Sequence, residues 1–125
     1  MTGVTIKDRW HRALASRAEV EASEERAEAA LTAGAIPVAS LRNRQRAQVA
    51  GVLRSVTLRP REGVPALAAE LYDGSGTLDL VWMGRREIAG VAPGRRLRAE
   101  GLVCVVDGRR TLFNPCYELR PRPGE

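Results

Sequence analysis

Arginine pairs that follow a glycine are the residues of this chain best suited to do chemistry. The triplet Gly-Arg-Arg occurs three times, at residues 84–86, 94–96 and 108–110. Glycine lets the backbone approach a ligand closely, and a guanidinium can hold a phosphate through two parallel hydrogen bonds. Three triplets at strand ends would form a rim that contacts phosphates. The arginines of this predicted rim are Arg85, Arg86, Arg95, Arg96, Arg109 and Arg110, extended by Arg54, Arg59 and Arg61.

Turn formation and solubility are the alternative explanation for the triplets, because the chain as a whole is rich in arginine. Residues 35–125 hold 15 arginines, no lysine and nine acidic residues, whereas residues 1–34 hold five basic and six acidic ones. The net charge is +5. A basic domain attracts polyanions such as nucleic acids at long range. A GC-rich genome, which encodes arginine in place of lysine, would explain the same composition without a ligand, and both interpretations stay open.

Two tyrosines are candidates to stack on a base. Tyr72 lies on the outward side of the second predicted strand, and Tyr117 follows an Asn-Pro pair near the C-terminus. Trp82 has the same parity as Leu78 and Leu80 on the third predicted strand, so we expect it in the core. The two tyrosines therefore complete the set of predicted binding residues.

Length and composition exclude several classes of protein. A chain of 125 residues with 44% hydrophobic and 28% charged residues is typical of a single globular domain. The longest uninterrupted apolar run, residues 102–106, is far shorter than the roughly 18 residues of a membrane-spanning helix. The N-terminus does not resemble an export signal. We therefore expect a cytoplasmic protein without a membrane anchor.

Metal, disulfide and catalytic chemistry find little support. Cys104, Cys116 and the single histidine, His11, cannot supply four zinc ligands. There is no Walker-type phosphate loop, no nucleophile elbow and no histidine-based metal set. Glu70 and Asp79, on neighbouring predicted strands, would make only a weak divalent-ion site. We expect no catalytic residues, no cofactor and no bound metal.

An N-terminal helix is predicted over residues 5–31. Alanine is abundant there, and no proline or glycine interrupts the segment. The large apolar residues cluster in the first half, around Trp10 and Leu14, whereas glutamates dominate the second half. We expect the first half to dock, with Trp10 packed on the rest of the chain or on a second chain. The second half should be mostly solvated.

After residue 44 the pattern changes to short alternating runs separated by glycine and proline, which predicts β-strands. Five strands are expected, at residues 47–59, 65–73, 77–83, 97–106 and 109–114. Their order, with the longest connection between the third and the fourth, is that of a five-stranded Greek-key barrel, the OB fold. The predicted organisation is a helical segment at 1–34, a linker at 35–44, an all-β OB-fold domain at 45–121 and a tail at 122–125.

Several short motifs carry a family resemblance. They are the turn Asp73-Gly74-Ser75-Gly76, then Pro93-Gly94 with the later Gly101, and Leu112-Phe113-Asn114-Pro115. With them, residues 44–121 resemble OB-fold nucleic-acid-binding domains of the tRNA-anticodon and helicase type. The ending is similar to the wedge domain of the RecG fork-remodelling helicase, and a stand-alone actinobacterial family of OB-fold proteins is also similar. The resemblance implies binding of single-stranded or branched nucleic acid across strands two and three and the loops beside them.

The predicted binding face departs from this pattern. Parity places Glu70 and Asp79 outward with Tyr72 as the one stacking ring, whereas single-strand binders combine positive charge with several aromatic residues. This shifts the predicted contacts to the arginine-rich loops. We therefore expect a small non-enzymatic protein that binds DNA or RNA. The alternative is an interaction or scaffold domain that uses residues 5–31 to dock on a protein or to dimerise.

Overall fold

The computed structural model describes residues 6–122, with side chains from Arg9 onward. Within that range the chain forms one α-helix, a short 3-10 helix and six β-strands. Residue 5, the predicted start of the helix, and residues 123–125 of the predicted tail lie outside the described residues. The elements are α1 (Ile6–Ala30), the 3-10 helix (Val38–Ser40), β1 (Arg46–Leu58), β2 (Ala66–Tyr72), β3 (Thr77–Met83), β4 (Arg96–Val106), β5 (Arg109–Phe113) and β6 (Cys116–Leu119).

Five of the described strands close into a ring. The order around it is β1, β2, β3, β5, β4, and β4 pairs again with β1. β1 makes this closure possible because its 13 residues pair with β4 along positions 46–52 and with β2 along positions 52–58. Within the ring only β3 and β5 run parallel. The prediction of a mostly β chain with an N-terminal helix is confirmed.

The five predicted strands match the observed ones to within one residue at each end. The sixth, β6, was not predicted. It pairs with positions 97–100 of β4, which pair with β1 on their other side. Its four residues are mostly exposed, so they show no alternation of buried and exposed positions that a sequence pattern could reveal.

Side chains at alternate positions of the strands point inward and fill the interior of the ring. Leu78, Leu80 and Trp82 on β3 are at most 5% exposed, as their parity predicts. They pack with fully buried leucines on each of the other four strands of the ring. Those leucines are Leu53, Leu71, Leu97 and Leu112.

One buried carboxylate organises the turn between β2 and β3. Asp73 is 3% exposed, and its Oδ1 accepts hydrogen bonds from the backbone N–H groups of Ser75 and Gly76 and from the Ser75 hydroxyl. Its Oδ2 accepts a hydrogen bond from the backbone N–H of Val38 at 2.9 Å. The segment 35–44, predicted as a linker, therefore carries a 3-10 helix that is attached to this turn and inserts Val38 into the core.

The C-terminal half of α1 is held against the ring by ion pairs. Arg96 donates two hydrogen bonds to Glu25, at 2.6 and 2.9 Å. Arg120 lies 3.2 Å from Glu28. The helix therefore docks through the half that was expected to be solvated.

The N-terminal half of α1 does not dock. Its side chains at positions 9–21 are all exposed, including Trp10 at 65% and Leu14 at 56%. Of the two predicted alternatives, packing of this half on the rest of the chain is wrong, and packing on a second chain stays a prediction. The reason is that docking uses carboxylate-guanidinium pairs and small alanines, which an apolar pattern does not reveal.

Gly74 permits the close approach of α1 to the β2–β3 turn. Arg26 Nη1 donates to the Gly74 carbonyl at 2.9 Å. A Cβ at position 74 would collide with the backbone carbonyl oxygen of Ala22, and the backbone φ of 87° is one that side chains disfavour. Both constraints require glycine at this position.

Replacing Asp73 with alanine should lower the free energy of unfolding by about 3 kcal/mol, because it leaves several donors beside the core without an acceptor. Urea denaturation measures the change. The matched control is Ser75→Ala, which removes one hydroxyl from the same network and should cost about 1 kcal/mol. Equal losses in the two variants would contradict the central role of the carboxylate.

Gly74→Ala should undock the C-terminal half of α1, so that the amides at 22–30 lose hydrogen-exchange protection. Gly63→Ala is the control, because Gly63 also has positive φ, 78°, but nothing lies within 4 Å of a Cβ placed there. It should leave the protection of α1 unchanged. Retained protection in Gly74→Ala would show that the docking does not depend on this contact.

Candidate functional site

A β-bulge in β1 gives the outer surface of the ring its polar side chains. The register between β1 and β2 shifts between Leu53 and Ser55, at Arg54. Up to Leu53 the odd-numbered residues of β1 are buried, whereas beyond the bulge they face outward. Ser55, Thr57 and Arg59 are thereby turned to the outer face, since bulges re-aim the side chains that follow them.

A groove runs over the outer faces of β1, β2 and β3. Its volume is about 160 Å³, below the roughly 300 Å³ at which small-molecule sites begin, so it is too small to enclose a typical small-molecule ligand. It lies between the β1–β2 connection and the start of β5. The groove is lined by Ser55, Thr57, Arg59, Arg61, Ala68, Ala69, Glu70, Asp79, Val81 and Arg109.

An arginine lies between the two carboxylates on the floor of the groove. Arg109 donates to Asp79 through Nε at 2.6 Å and through Nη2 at 2.8 Å, and Nη2 also lies 3.5 Å from Glu70. Glu70 accepts a further hydrogen bond from the Ser55 hydroxyl at 3.0 Å. The hydrogen bond and the charge of Asp79 raise the pKa of Arg109 above its ordinary value. The acidic pair predicted on this face is therefore partly neutralised from within the protein.

Two further arginines stand at the end of the groove formed by the β1–β2 connection. The Arg61 guanidinium lies 5.1 Å from the centroid of the Phe113 ring. The Arg59 side chain makes no hydrogen bond, ion pair or ring contact with any other described residue. Both side chains are exposed, so both are available to a ligand in the groove.

Two of the predicted arginines are used inside the protein instead. The bidentate hydrogen bonds of Arg96 with Glu25 raise the pKa of Arg96. Arg110 donates to the backbone carbonyls of Ala39 and Leu41, at 3.2 and 3.1 Å, and so holds the 3-10 helix. The three Gly-Arg-Arg triplets lie against different parts of the fold, with Arg96 on α1, Arg109 in the groove and Arg110 on the 3-10 helix.

The remaining arginine pair of the predicted rim is exposed. Arg85 and Arg86 follow β3, next to the β1–β2 connection, since the Gly84 N–H donates to the Pro65 carbonyl at 2.7 Å. They therefore lie at the Arg59 end of the groove. Arg95 is half-buried beside β1, to which its backbone carbonyl is hydrogen-bonded.

The two predicted tyrosines lie apart from each other. Tyr72 is half-buried, and the Arg54 guanidinium lies 3.5 Å from its ring centroid. Tyr117 is on β6, 40% exposed, with its ring in edge contact with buried Trp82 at 5.5 Å. Neither tyrosine lines the groove.

Sequence reasoning missed Ser55 and Thr57 as groove residues. Both have the parity of Leu53, so an unbroken strand would place them in the core. The signal that was present is the change from apolar to polar residues at the odd positions of β1 after Leu53. Polar side chains at expected core positions indicate a bulge, because they are costly to bury without partners.

The described residues hold neither a membrane-spanning helix nor a cluster of metal ligands. Residues 6–122 include no helix that combines the length and the apolar character needed to cross a membrane. In the same part of the chain, no three or more His, Cys, Asp or Glu side chains group closely enough to hold a metal ion.

Comparison with known proteins gives a likeness of fold alone. No family model and no curated protein sequence matches the chain. A solved structure described as RecG bound to a three-way DNA junction is similar over 66% of this chain, with a TM-score of 0.52 and 21% identity. The chain spans 12% of the length of that RecG chain. About two thirds of this chain thus shares its fold with a part of RecG.

The Arg109–Asp79 pair should show a coupling energy of about 0.5–1 kcal/mol in a double-mutant cycle of Arg109→Ala and Asp79→Ala, measured by thermal unfolding. Its bidentate geometry favours a measurable value although Arg109 is half-exposed. The control cycle uses Arg98 and Glu118, a single 3.1 Å contact whose glutamate is 73% exposed, and should give a value near zero. Equal couplings would show that the groove pair has no special geometry.

Proposed function

We propose that this chain is an OB-fold module that binds single-stranded or branched nucleic acid along the groove over β1, β2 and β3. The observation that carries the proposal is the exposed pair Arg59 and Arg61 at one end of the groove. On the floor of the groove, Arg109 is hydrogen-bonded to the Asp79 carboxylate. The closed strand order, with its β3–β5 parallel pair, supports the OB assignment.

The charges of the groove support a phosphate ligand. Arg59 has no partner among the described residues, so it can bind a phosphate without first breaking an internal ion pair. Arg109 offsets the carboxylates of Glu70 and Asp79, which would otherwise repel a phosphate backbone. Arg85 lies at the same end as Arg59 and can extend the contact.

Arg96 and Arg110 are not part of the proposed interface. Each would have to give up hydrogen bonds that hold α1 or the 3-10 helix in place. The proposed contacts are therefore fewer than the predicted set and lie at one end of the groove. Arg54 with Tyr72, and Tyr117 on β6, stay predictions that need separate variants.

The proposed binding is directed to the sugar-phosphate backbone more than to the bases. The hydroxyls of Ser55 and Thr57 and the guanidiniums of the groove are groups that contact phosphates and sugars. No aromatic ring lines the groove itself. We therefore expect weak sequence preference and a strong dependence on salt. The RecG structure, described as bound to a three-way DNA junction, makes branched DNA the first ligand to test.

The proposal is for a binding protein and not an enzyme. The groove contains no histidine or cysteine, and both of its carboxylates are engaged by Arg109. A general base or a nucleophile would need a titratable group that is free to reach a substrate. The groove supports binding without a chemical step and without a cofactor.

Arg59→Glu/Arg61→Glu should weaken binding by tenfold or more and reduce the salt slope by about 1 to 2 units, because two phosphate contacts are reversed in sign. Fluorescence anisotropy measures both quantities on labelled single-stranded, duplex and three-way-junction DNA and on matching RNA. Arg42→Glu/Arg46→Glu is the matched control, since it makes the same change in net charge at the other end of β1. The control should keep the slope of the unaltered protein.

Two results would overturn the proposal. One is an absence of binding to every ligand at low salt by a protein whose circular dichroism shows it folded. The other is an equal loss in both double variants, because this would assign the binding to net charge and not to the groove.

A further inference from the structure

A second hollow opens at the Arg61 end of the groove, and we call it the end hollow. It is lined by Arg61, Glu62, Val64, Met83 and Phe113, and its volume is about 550 Å³. This volume is in the range of small-molecule sites, roughly 300–1,000 Å³. Arg61 lines both the groove and the end hollow, so a ligand that follows the groove past Arg61 reaches the end hollow next.

One wall of the end hollow is the tight turn between β1 and β2. Arg61 and Val64 exchange two backbone hydrogen bonds, both of 2.8 Å. Glu62 and Gly63 between them have φ of 49° and 78°, and positive φ at both central residues is characteristic of a type I′ hairpin turn. Residues directly opposite each other in such a pair lie on the same face, so the turn holds the side chains of Arg61 and Val64 side by side.

The other wall is formed by the ends of β3 and β5. These strands run parallel, and the Met83 N–H donates to the side-chain oxygen of Asn114 at 2.8 Å. Met83 and Phe113 are half-buried, so part of each side chain is exposed in the end hollow. The Arg61 guanidinium lies 5.1 Å from the centroid of the Phe113 ring. The end hollow is therefore bounded by an aromatic ring, a thioether and an aliphatic side chain, with a guanidinium beside the ring.

Glu62 brings a carboxylate to the end hollow. Its side chain is exposed and makes no hydrogen bond, ion pair or ring contact with any other described residue. An ionised carboxylate only accepts hydrogen bonds, so it suits a ligand that presents N–H donors. Apolar walls hold a ligand by contact, and a single polar group among them selects it.

We propose that the end hollow binds one unpaired nucleobase, and guanine in preference to the other bases. This inference rests on the proposed function, because phosphate contacts of Arg59 and Arg61 bring the strand to this end of the groove. Bases stack on aromatic rings and on guanidinium planes, which Phe113 and Arg61 supply. Among the bases, guanine presents two adjacent N–H donors on its pairing edge, and these match the two oxygens of the Glu62 carboxylate.

The surroundings of the end hollow favour a nucleotide over an apolar segment of a protein. Arg59, Arg85 and Arg86 are exposed at the same end of the groove. A ligand seated there gains most if it carries negative charge next to a flat apolar part, as a nucleotide does. A base inside a duplex is covered by its neighbours on both faces, so only an unstacked base can enter. The end hollow therefore selects single strands and junctions with unpaired bases over intact duplex.

Phe113→Leu should weaken binding to a labelled oligothymidylate of about 12 nucleotides by about fivefold, because a stacking ring is lost. The salt slope should stay unchanged, since no phosphate contact is removed. Leucine keeps an apolar side chain at the end of β5, and circular dichroism checks the fold. Trp10→Leu is the matched control, because it removes an aromatic ring that is 65% exposed on α1, and it should not change the affinity. Fluorescence anisotropy at several salt concentrations measures both quantities.

The end hollow and the groove fail this test in different ways. If the unaltered protein binds no single strand or junction at low salt, both proposals are wrong. If it binds and Phe113→Leu keeps the full affinity, the groove proposal stands and the end hollow does not take a base. A loss of affinity in Phe113→Leu together with a smaller salt slope would also overturn the base site, since it would assign the effect to phosphate contacts.

Guanine in place of one central thymine of the same strand should strengthen binding by about fivefold, because a bidentate contact to a base discriminates by about this factor or more. Inosine, which lacks the 2-amino group, should lose most of the gain. Glu62→Gln should abolish the preference, since the amide replaces one acceptor by a donor. Glu87→Gln is the matched control, because it removes the same charge from another exposed glutamate after β3 and should keep the preference.

Two results would contradict the selection of guanine by Glu62. One is equal affinity of the unaltered protein for the guanine and the thymine strands. The other is a guanine preference that Glu62→Gln retains. Glu62 is exposed in the turn, so this variant tests the end hollow without disturbing the core.

Discussion

The Asp73 carboxylate is the contact on which the arrangement of the other parts depends. A buried carboxylate is costly unless its oxygens are filled with hydrogen bonds. Here the donors come from the β2–β3 turn and from the 3-10 helix, so a single side chain joins two segments that are 35 residues apart in sequence. The next residue, Gly74, then leaves room for α1. Turn, 3-10 helix and α1 are therefore held in one place by adjacent residues.

The arginines show how a basic composition is divided between structure and a ligand. Arg96 and Arg110 satisfy acceptors of the protein itself, and Arg109 partly neutralises the two carboxylates on the floor of the groove. Arg59 is left without an internal partner in the described part of the chain. A guanidinium carries five donors and finds acceptors readily, so the arginines left without partners are the informative ones.

α1 has two halves with different physical roles. The C-terminal half, residues 22–30, is held by ion pairs and by the small size of its alanines, and the N-terminal half presents Trp10 and Leu14 to solvent. An isolated helix as short as the exposed stretch 9–21 is marginal in water, so attachment of the C-terminal half of α1 supports the N-terminal half.

Local sequence patterns were sufficient to predict α1, the five strands of the ring and much of the core. Alternation placed five strands to within one residue and put Leu78, Leu80 and Trp82 inside, because periodicity is carried by neighbouring residues. Tertiary contacts determine three further features, namely the bulge at Arg54, the strand β6 and the docking of α1. The groove also depends on tertiary contacts, since Arg109 and Asp79 are 30 residues apart in the sequence. The docking of α1 does so too, because Arg96 and Glu25 are 71 residues apart. Local patterns determine which residues face inward, but a charge finds its partner only when the chain has folded.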